Sequence, residues 1–296
     1  MRTLVLGVGG LLGSNVINGA VARDWEVWGT YHTAEPSFRV ALHELDVRNI
    51  DRFESVLDRT EPEAVVNCAA MTDVDGCEAN TDEARSINGR APGEIARVCE
   101  DRDIEFVHVS TDYVFDGDAE TPYRETDRPN PIQAYGDSKL AGERAVVGVH
   151  GNPLLVRLSF VYGVHRSIDT LTGFPAWVRG RLRSGEETPL FTDQSITPSR
   201  AGQATETILD LLDNGSTGTF HVASRSCVTP YDFGNTIRER RNVSDDLLRE
   251  GSQSDLDRPA DRPQYTCLDV TRVEETLGRE QPTLREDLDA IAGSLV

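Results

Sequence analysis

Tyr135 and Lys139 stand four residues apart in the stretch Tyr135-Gly136-Asp137-Ser138-Lys139, and Lys139 is the only lysine in a chain of 296 residues. Every other basic side chain among the 30 is arginine. Lysine carries a compact charge on a flexible stem, whereas arginine carries a planar fork that stays protonated. A background cleared of lysine everywhere but here marks a position that needs the compact ammonium. On a helix, a four-residue spacing puts both side chains on one face, within reach of one ligand. Such a pair does proton donation. The phenol has an ordinary pKa of about 10, and a nearby ammonium stabilises the phenolate and lowers that value. A leftover lysine on an ordinary helix is the competing reading, and the rest of the chain decides between them.

Thr3-Leu4-Val5-Leu6 is a short apolar run that ends in Gly7-Val8-Gly9-Gly10-Leu11-Leu12-Gly13. Leu12, Val16, Ile17, Ala20 and Val21 then recur at helical spacing. Strand, glycine turn and helix in this order predict a dinucleotide site. The glycines let the backbone turn tightly and approach a pyrophosphate, whose charge the helix N-terminus stabilises. A structural turn is the alternative. The spacing Gly7-x-x-Gly10-x-x-Gly13 departs from G-x-G-x-x-G but follows the same logic. After the next strand, Trp25–Thr30, the segment Gly29-Thr30-Tyr31-His32-Thr33 brings no acid for an adenosine 2′-hydroxyl. Arg39, further on, is a candidate for a 2′-phosphate, which favours NADP(H) over NAD(H). Asp46, followed by Val47, is a candidate partner for the adenine amino group, or else an acid ahead of a helix from about Asn49 to Arg59.

Ala64–Asn67 is a buried strand, followed by Cys68-Ala69-Ala70, small enough for a cofactor ribose or ring to lie against the backbone. Thr81–Glu100 is helical in pattern, with Pro92 forcing a break or kink. Ile104–Ser110 is a further strand running into Thr111-Asp112-Tyr113. There Ser110 or Thr111 is placed to hydrogen-bond a substrate carbonyl; a satisfied turn hydroxyl is the alternative. The helix carrying Tyr135 and Lys139 runs to about Val149, and Leu154–Phe160 is the next strand. Strands and helices thus alternate through residues 1–160, predicting an α/β fold with a Rossmann-type doubly wound parallel sheet. Beyond that the alternation loosens. Helices are expected at Phe174–Ser184, Gln203–Leu212, Tyr231–Arg240 and Thr283–Leu295, a short strand at Phe220–Val222, a polar loop with Pro198 at Gln194–Arg200, and an exposed polar loop at Arg249–Asp261. Residues 161–296 are therefore read mainly as a smaller substrate-binding domain, some of whose segments return to the first.

Fifty acidic residues against 30 basic ones give a net charge of −20. That surface repels phosphates and excludes a nucleic-acid partner. Acid excess with one lysine suits a halophilic protein kept soluble in high salt, where screening limits self-repulsion. No run approaches the roughly 18 apolar residues a membrane helix needs. The N-terminus reads as a buried strand and not a secretory leader. Cys68, Cys77, Cys99, Cys227 and Cys267 are odd in number and scattered, and read as reduced thiols of a cytoplasmic protein. Asn214-Gly215-Ser216 and Asn242-Val243-Ser244 match the glycosylation acceptor pattern but carry little without a leader.

Taken together, these motifs resemble the extended short-chain dehydrogenases/reductases and, within them, the dTDP-4-dehydrorhamnose reductases. The likeness rests on the glycine turn, Asn67-Cys68-Ala69-Ala70, Asp73-x-Asp75-x-Cys77-Glu78 and Ser110-Thr111-Asp112-Tyr113-Val114-Phe115-Asp116-Gly117. It extends to Tyr135-Gly136-x-Ser138-Lys139-x-x-Gly142-Glu143, Asp193-Gln194-x-x-x-Pro198 and Arg262-Pro263-x-x-Thr266-x-Leu268. Leu11 and Leu12 replace a more polar residue in the glycine loop, and Phe160 stands where the family often has tryptophan. The resemblance implies hydride transfer from NADP(H) or NAD(H) to the C4 keto group of a nucleotide-linked 6-deoxy sugar. Tyr135 would give the proton, Lys139 would supply charge and hold the nicotinamide ribose, and Thr111 would orient the carbonyl. Asp112 and Phe160 would meet the sugar, with Gln194, Arg200 or Arg262 near the phosphates or base. Gly7, Gly10, Leu11, Leu12, Gly13, Asp46, Val47, Cys68, Ala69 and Ala70 would join Tyr135 and Lys139 in holding the cofactor. The acidic residues that hold a metal in some members of the family have no place assigned here, so no metal is claimed, and a homodimer is one candidate assembly. A sugar-nucleotide epimerase or dehydratase shares the fold and the Tyr/Lys pair. A non-catalytic NADP-binding subunit, like that of methionine adenosyltransferase, is the other rival.

Overall fold

The computed structural model describes residues 1–241 and 244–295, so Asn242 and Val243 of the second acceptor pattern lie outside the described residues. Strand β1 (Arg2–Leu6) leads through the glycine turn into α1 (Leu11–Val21), followed by β2 (Glu26–Tyr31), β3 (Leu42–Glu44), α2 (Ile50–Thr60) and β4 (Ala64–Asn67). Two short helices, α3 (Val74–Ala79) and α4 (Thr81–Ala84), run into a π-helical turn at Arg85–Arg90 and then α5 (Ala91–Asp101). Next come β5 (Glu105–Thr111), α6 (Ala134–Val147) and β6 (Leu154–Leu158). The remainder comprises β7 (Gly163–His165), β8 (Thr170–Thr172), α7 (Phe174–Arg183), β9 (Thr188–Phe191), α8 (Ala201–Asp213), β10 (Gly218–His221), α9 (Pro230–Arg241), β11 (Leu248–Gly251), α10 (Thr271–Leu277), α11 (Leu284–Asp289) and α12 (Ala292–Leu295).

Seven strands form one parallel sheet in the order β10-β6-β5-β4-β1-β2-β3. The central strands read as continuous apolar runs because both of their faces are buried. In β1, Val5 faces one core with Val16, Ile17 and Ile208, while Leu4 and Leu6 face the other with Phe53, Val56 and Ile95. Helices α1 and α8 therefore cover one face, and α2 and α5 the other. The order reverses between β1 and β4, and the crevice outside their carboxyl ends is where open α/β sheets bind ligands. A third core gathers Tyr162, Val178, Leu190, Phe233, Leu248 and Leu288 from the chain beyond β6.

Three expectations need correction. The polar segment after Arg249 is not wholly a loop: β11 pairs in parallel with β9, because Leu248 is buried and draws the strand in. The helix expected at Thr81–Glu100 is continuous but irregular: a π turn at Arg85–Arg90 joins α4 to α5, and it, not a break, precedes Pro92. Cys227 and Cys267 form a disulfide, leaving Cys68, Cys77 and Cys99 free. Their separation of 40 positions hid the pairing, since both segments meet only when they flank Ser195–Ile196. Among the described residues no helix is long and apolar enough to cross a membrane.

Candidate active site

The crevice is a cleft of about 910 Å³ running from the carboxyl end of β2 to that of β5. Its wall contains Gly7, Gly10, Leu11, Leu12, Gly13, Asp46, Val47, Cys68, Ala69, Ala70, Thr111, Asp112, Tyr135, Lys139 and Phe160, so these expected site residues share one cavity. The glycines are required by close approach. Gly7 has φ +80°, and a Cβ there would lie 2.8 Å from the Ala69 backbone. A Cβ on Gly13 would lie 2.3 Å from the Gly7 carbonyl oxygen. Helix α1 begins without a side-chain cap or an acid in its first turn, leaving its N–H groups and dipole open to an anion. This cradle fits a pyrophosphate.

At the β2 end of the cleft the wall is Tyr31, His32, Thr33, Ala34, Asp46, Arg48 and Glu83. Arg39 is exposed and absent from it, so the expected 2′-phosphate contact is not made from that position. Arg48, unnoticed in the sequence, donates to both oxygens of Asp46 at 2.6–3.0 Å, and its guanidinium lies 3.5 Å from Glu83. The hydrogen bonds from Arg48 hold the Asp46 carboxyl down at about 2. Asn49, not Asp46, caps α2, accepting from the Arg52 N–H at 3.0 Å.

At the other end, α6 presents Tyr135 and Lys139 to the cleft. The Lys139 ammonium donates to the Val109 carbonyl at 2.7 Å, and its side chain is almost fully buried, at 2% exposure. That burial lowers its pKa to about 8, against the opposing pull of Glu143 and the Cys68 sulfur. The Tyr135 phenol is raised, not lowered as expected. Deep in the cleft the loss of water outweighs other effects, and Asp112 adds to the rise, while the Thr111 hydroxyl opposes it. A phenol that keeps its proton at neutral pH is the form a proton donor needs. Thr111 donates its own proton to Asp112 Oδ1 at 3.0 Å and accepts from the Tyr113 N–H at 3.2 Å. Asp112 also accepts from Ser159 at 2.7 Å. Burial raises its carboxyl to about 6, despite the hydroxyls of Thr266, Ser159 and Thr111 around it. Phe160 adopts φ +46°, and its ring meets Phe174 edge-on with centroids 5.4 Å apart. A non-glycine residue in that region is strained, and such strain collects at functional sites.

Behind this corner stand residues whose roles were not read in advance. Asn88, in the π-turn, holds Met71 through two 2.9 Å bonds and donates to Ser138 Oγ at 3.0 Å. A poor helix former before Gly89 and Pro92 was the available signal. Glu78 accepts from the Ala134 N–H, fixing the start of α6 beside the Gln133 cap. Glu143, four residues beyond Lys139, takes a two-pronged bond from Arg157 at 2.9 and 2.7 Å, with both side chains 5% exposed. Glu143→Ala is expected to cost about 3–5 kcal/mol in denaturant unfolding, because Arg157 is left charged and unpaired in the interior. Replacing both by apolar residues should recover most of that. A loss under about 1 kcal/mol for the single variant would mean water reaches the pair.

Some expected contacts are elsewhere. Arg200 donates to the buried Asp287 at 2.7 Å, tying α8 to α11. Arg262 pairs with Asp75 at 3.1 Å and donates to the Ala260 carbonyl. It and Gln194 lie near Tyr113 but outside the cleft wall. His165, from β7, contacts the Gly9 carbonyl at 3.0 Å, and the Arg166 N–H donates to Ser14 Oγ at 3.1 Å, so the later chain braces the glycine turn. Among the described residues no acidic, histidine or cysteine cluster is arranged to hold a metal ion.

All of residues 1–296 match a family model described as RmlD substrate binding domain. The chain is 51% identical over 291 residues to the probable low-salt glycan biosynthesis reductase Agl14 of Haloferax volcanii, covering 98% of this chain and 97% of that one. It is 33% identical over 269 residues to the dTDP-4-keto-6-deoxy-D-glucose reductase of Streptomyces niveus, covering 90% and 88%. Among solved structures it resembles dTDP-4-dehydrorhamnose reductase from Bacillus anthracis in complex with NADP. That match has TM-score 0.86, 26% identity, and coverage of 98% and 97%.

Proposed function

The chain belongs to the RmlD substrate-binding family, and on that premise we propose that it reduces the C4 keto group of a nucleotide-linked 6-deoxy sugar. The favoured reaction is dTDP-4-dehydro-L-rhamnose to dTDP-L-rhamnose, with NADPH preferred over NADH. The observation that carries the reading is that Thr111, Tyr135 and Lys139 converge on the cleft that also holds the glycine turn. Bound along that turn, with the pyrophosphate at the α1 N-terminus, the nicotinamide supplies the hydride. Tyr135 gives its phenolic proton to the oxygen as the carbonyl carbon is reduced. The Thr111 hydroxyl turns from Asp112 to orient that oxygen. The Lys139 ammonium stabilises the phenolate left behind and reaches the nicotinamide ribose. Phe160 and Asp112 border the sugar, and the core built around Phe233 and Tyr162 closes that end as the substrate-binding part of the chain. The absence of an acid after β2, with His32 and Thr33 in the wall instead, supports NADPH. The reading places the enzyme in the cytoplasm.

The test is NADPH and NADH oxidation with dTDP-4-dehydrorhamnose in high salt, followed at the nicotinamide absorbance. Stoichiometric oxidation with NADPH the better donor is expected. Tightly held NAD with no net oxidation would point to an epimerase or dehydratase instead.

A further inference from the structure

The Cys227–Cys267 disulfide joins the two segments that flank residues 194–197, with Cα atoms 5.5 Å apart. On one side Ile196 and Val228 exchange both backbone hydrogen bonds at 2.9 Å. On the other, the Ser195 N–H donates to Gln264 at 2.7 Å and the Thr266 N–H to Ser195 at 2.8 Å. Outside these, the Tyr123 N–H donates to the Cys267 carbonyl at 2.8 Å. The 194–199 segment reaches the reacting end of the cleft through Ser199: its N–H donates to the Ser159 carbonyl at 2.8 Å, its Oγ accepts from the Ser159 N–H at 3.2 Å, and the Ser159 hydroxyl donates to Asp112 at 2.7 Å. Asp112 lines the cleft; the glycine turn and the β2 end lie apart from this segment.

We propose that the Cys227–Cys267 disulfide is a positioning element for the nucleotide-sugar end of the cleft. It holds the 194–199 segment, whose Ser199 braces Ser159 against Asp112, and its reduction loosens sugar-nucleotide binding while leaving the cofactor half unchanged. The substrate named here rests on the reductase reading above. Cys227 is exposed and Cys267 buried, so an external dithiol reaches the Cys227 sulfur. Its thiolate attacks there, the S–S bond breaks, and Cys267 leaves as a thiolate that takes up a proton. The second thiol resolves the mixed disulfide, so two electrons pass to the protein and the dithiol departs as a cyclic disulfide. Burial raises the Cys68, Cys77 and Cys99 thiols to about 12, 11 and 12, so the three free cysteines stay inert in this exchange.

The experiment compares the full-length enzyme before and after dithiothreitol. Thiol titration of the denatured chain should count the three free cysteines before treatment and all five after. Reduction should raise KM for the sugar nucleotide about tenfold, as expected for losing one or two buried polar contacts. The KM for NADPH and kcat should change little. Cys227→Ser should match the reduced enzyme and ignore the reductant; if that variant does not fold, the reduced natural chain carries the comparison. Backbone hydrogen exchange at residues 264–268 should speed up on reduction, a readout that needs no substrate. Five thiols before treatment, or unchanged KM and exchange after it, would overturn the proposal. Faster exchange without turnover in either state would uphold the clamp and sink the substrate reading instead.

Discussion

Tyr135→Phe lowers kcat by about 10²- to 10⁴-fold, the range for removing a positioned general acid, and leaves NADPH affinity unchanged. The ring itself does structural work that phenylalanine can continue, meeting Tyr113 edge-on with centroids 6.2 Å apart. What the variant lacks is a proton at the one point where the cleft wall can deliver it. Tyr113 is no substitute: its phenol lies near Gln194, which is outside the cleft wall, and burial raises it to about 12. Asp112 is engaged as an acceptor by the Thr111 and Ser159 hydroxyls. Thr111 remains and can polarise the carbonyl, which sets the residual rate. Stopped-flow single turnovers separate this loss from product release, and a fluorescence titration with NADPH reports the cofactor half. Normal turnover in the variant would remove Tyr135 from the proton-donor role.

How much of this was legible beforehand depended on whether the cause was local. Val5, Val65 and Val107 sit in runs whose apolar character comes from burial on both faces, so β1, β4 and β5 could be read directly. Gly7 and Gly13 announce a backbone approach that no side chain permits. Lys139 stood out by composition alone. Residues whose meaning lies in a distant partner were not readable. Leu248 looks like the start of a polar loop until β9 pairs with its strand. Arg262 stood out by its motif, yet its charge is spent on Asp75 and it lies off the cleft wall. The direction of the Tyr135 shift was missed for a related reason. Spacing puts an ammonium near a phenol, but it does not say how much water either has lost, and here burial dominates both groups.

Lys139→Arg separates a needed ammonium from an accidental one. The side chain occupies a buried slot beside Cys68, with its nitrogen 2.7 Å from the Val109 carbonyl. A guanidinium is wider and planar, and seeks bonds along a fork that one carbonyl cannot satisfy. The expected loss in kcat/KM is about 10²-fold or more, of the size general acid–base contributions reach. The pH profile gives a second signature. Burial depresses the Lys139 pKa from 10.5 to about 8, so the ammonium predominates below that pH and is lost above it. Natural enzyme activity should therefore fall as pH rises past about 8, approaching tenfold per unit. Arginine remains protonated throughout, so whatever activity Lys139→Arg retains should not show that basic limb. The Glu143–Arg157 pair lies one helical turn away and favours the charged lysine through Glu143, so Glu143→Gln should move the limb to lower pH. An unimpaired arginine variant with the natural enzyme's profile would make the solitary lysine an accident of composition and return the search for the charged partner of Tyr135 to the rest of the cleft.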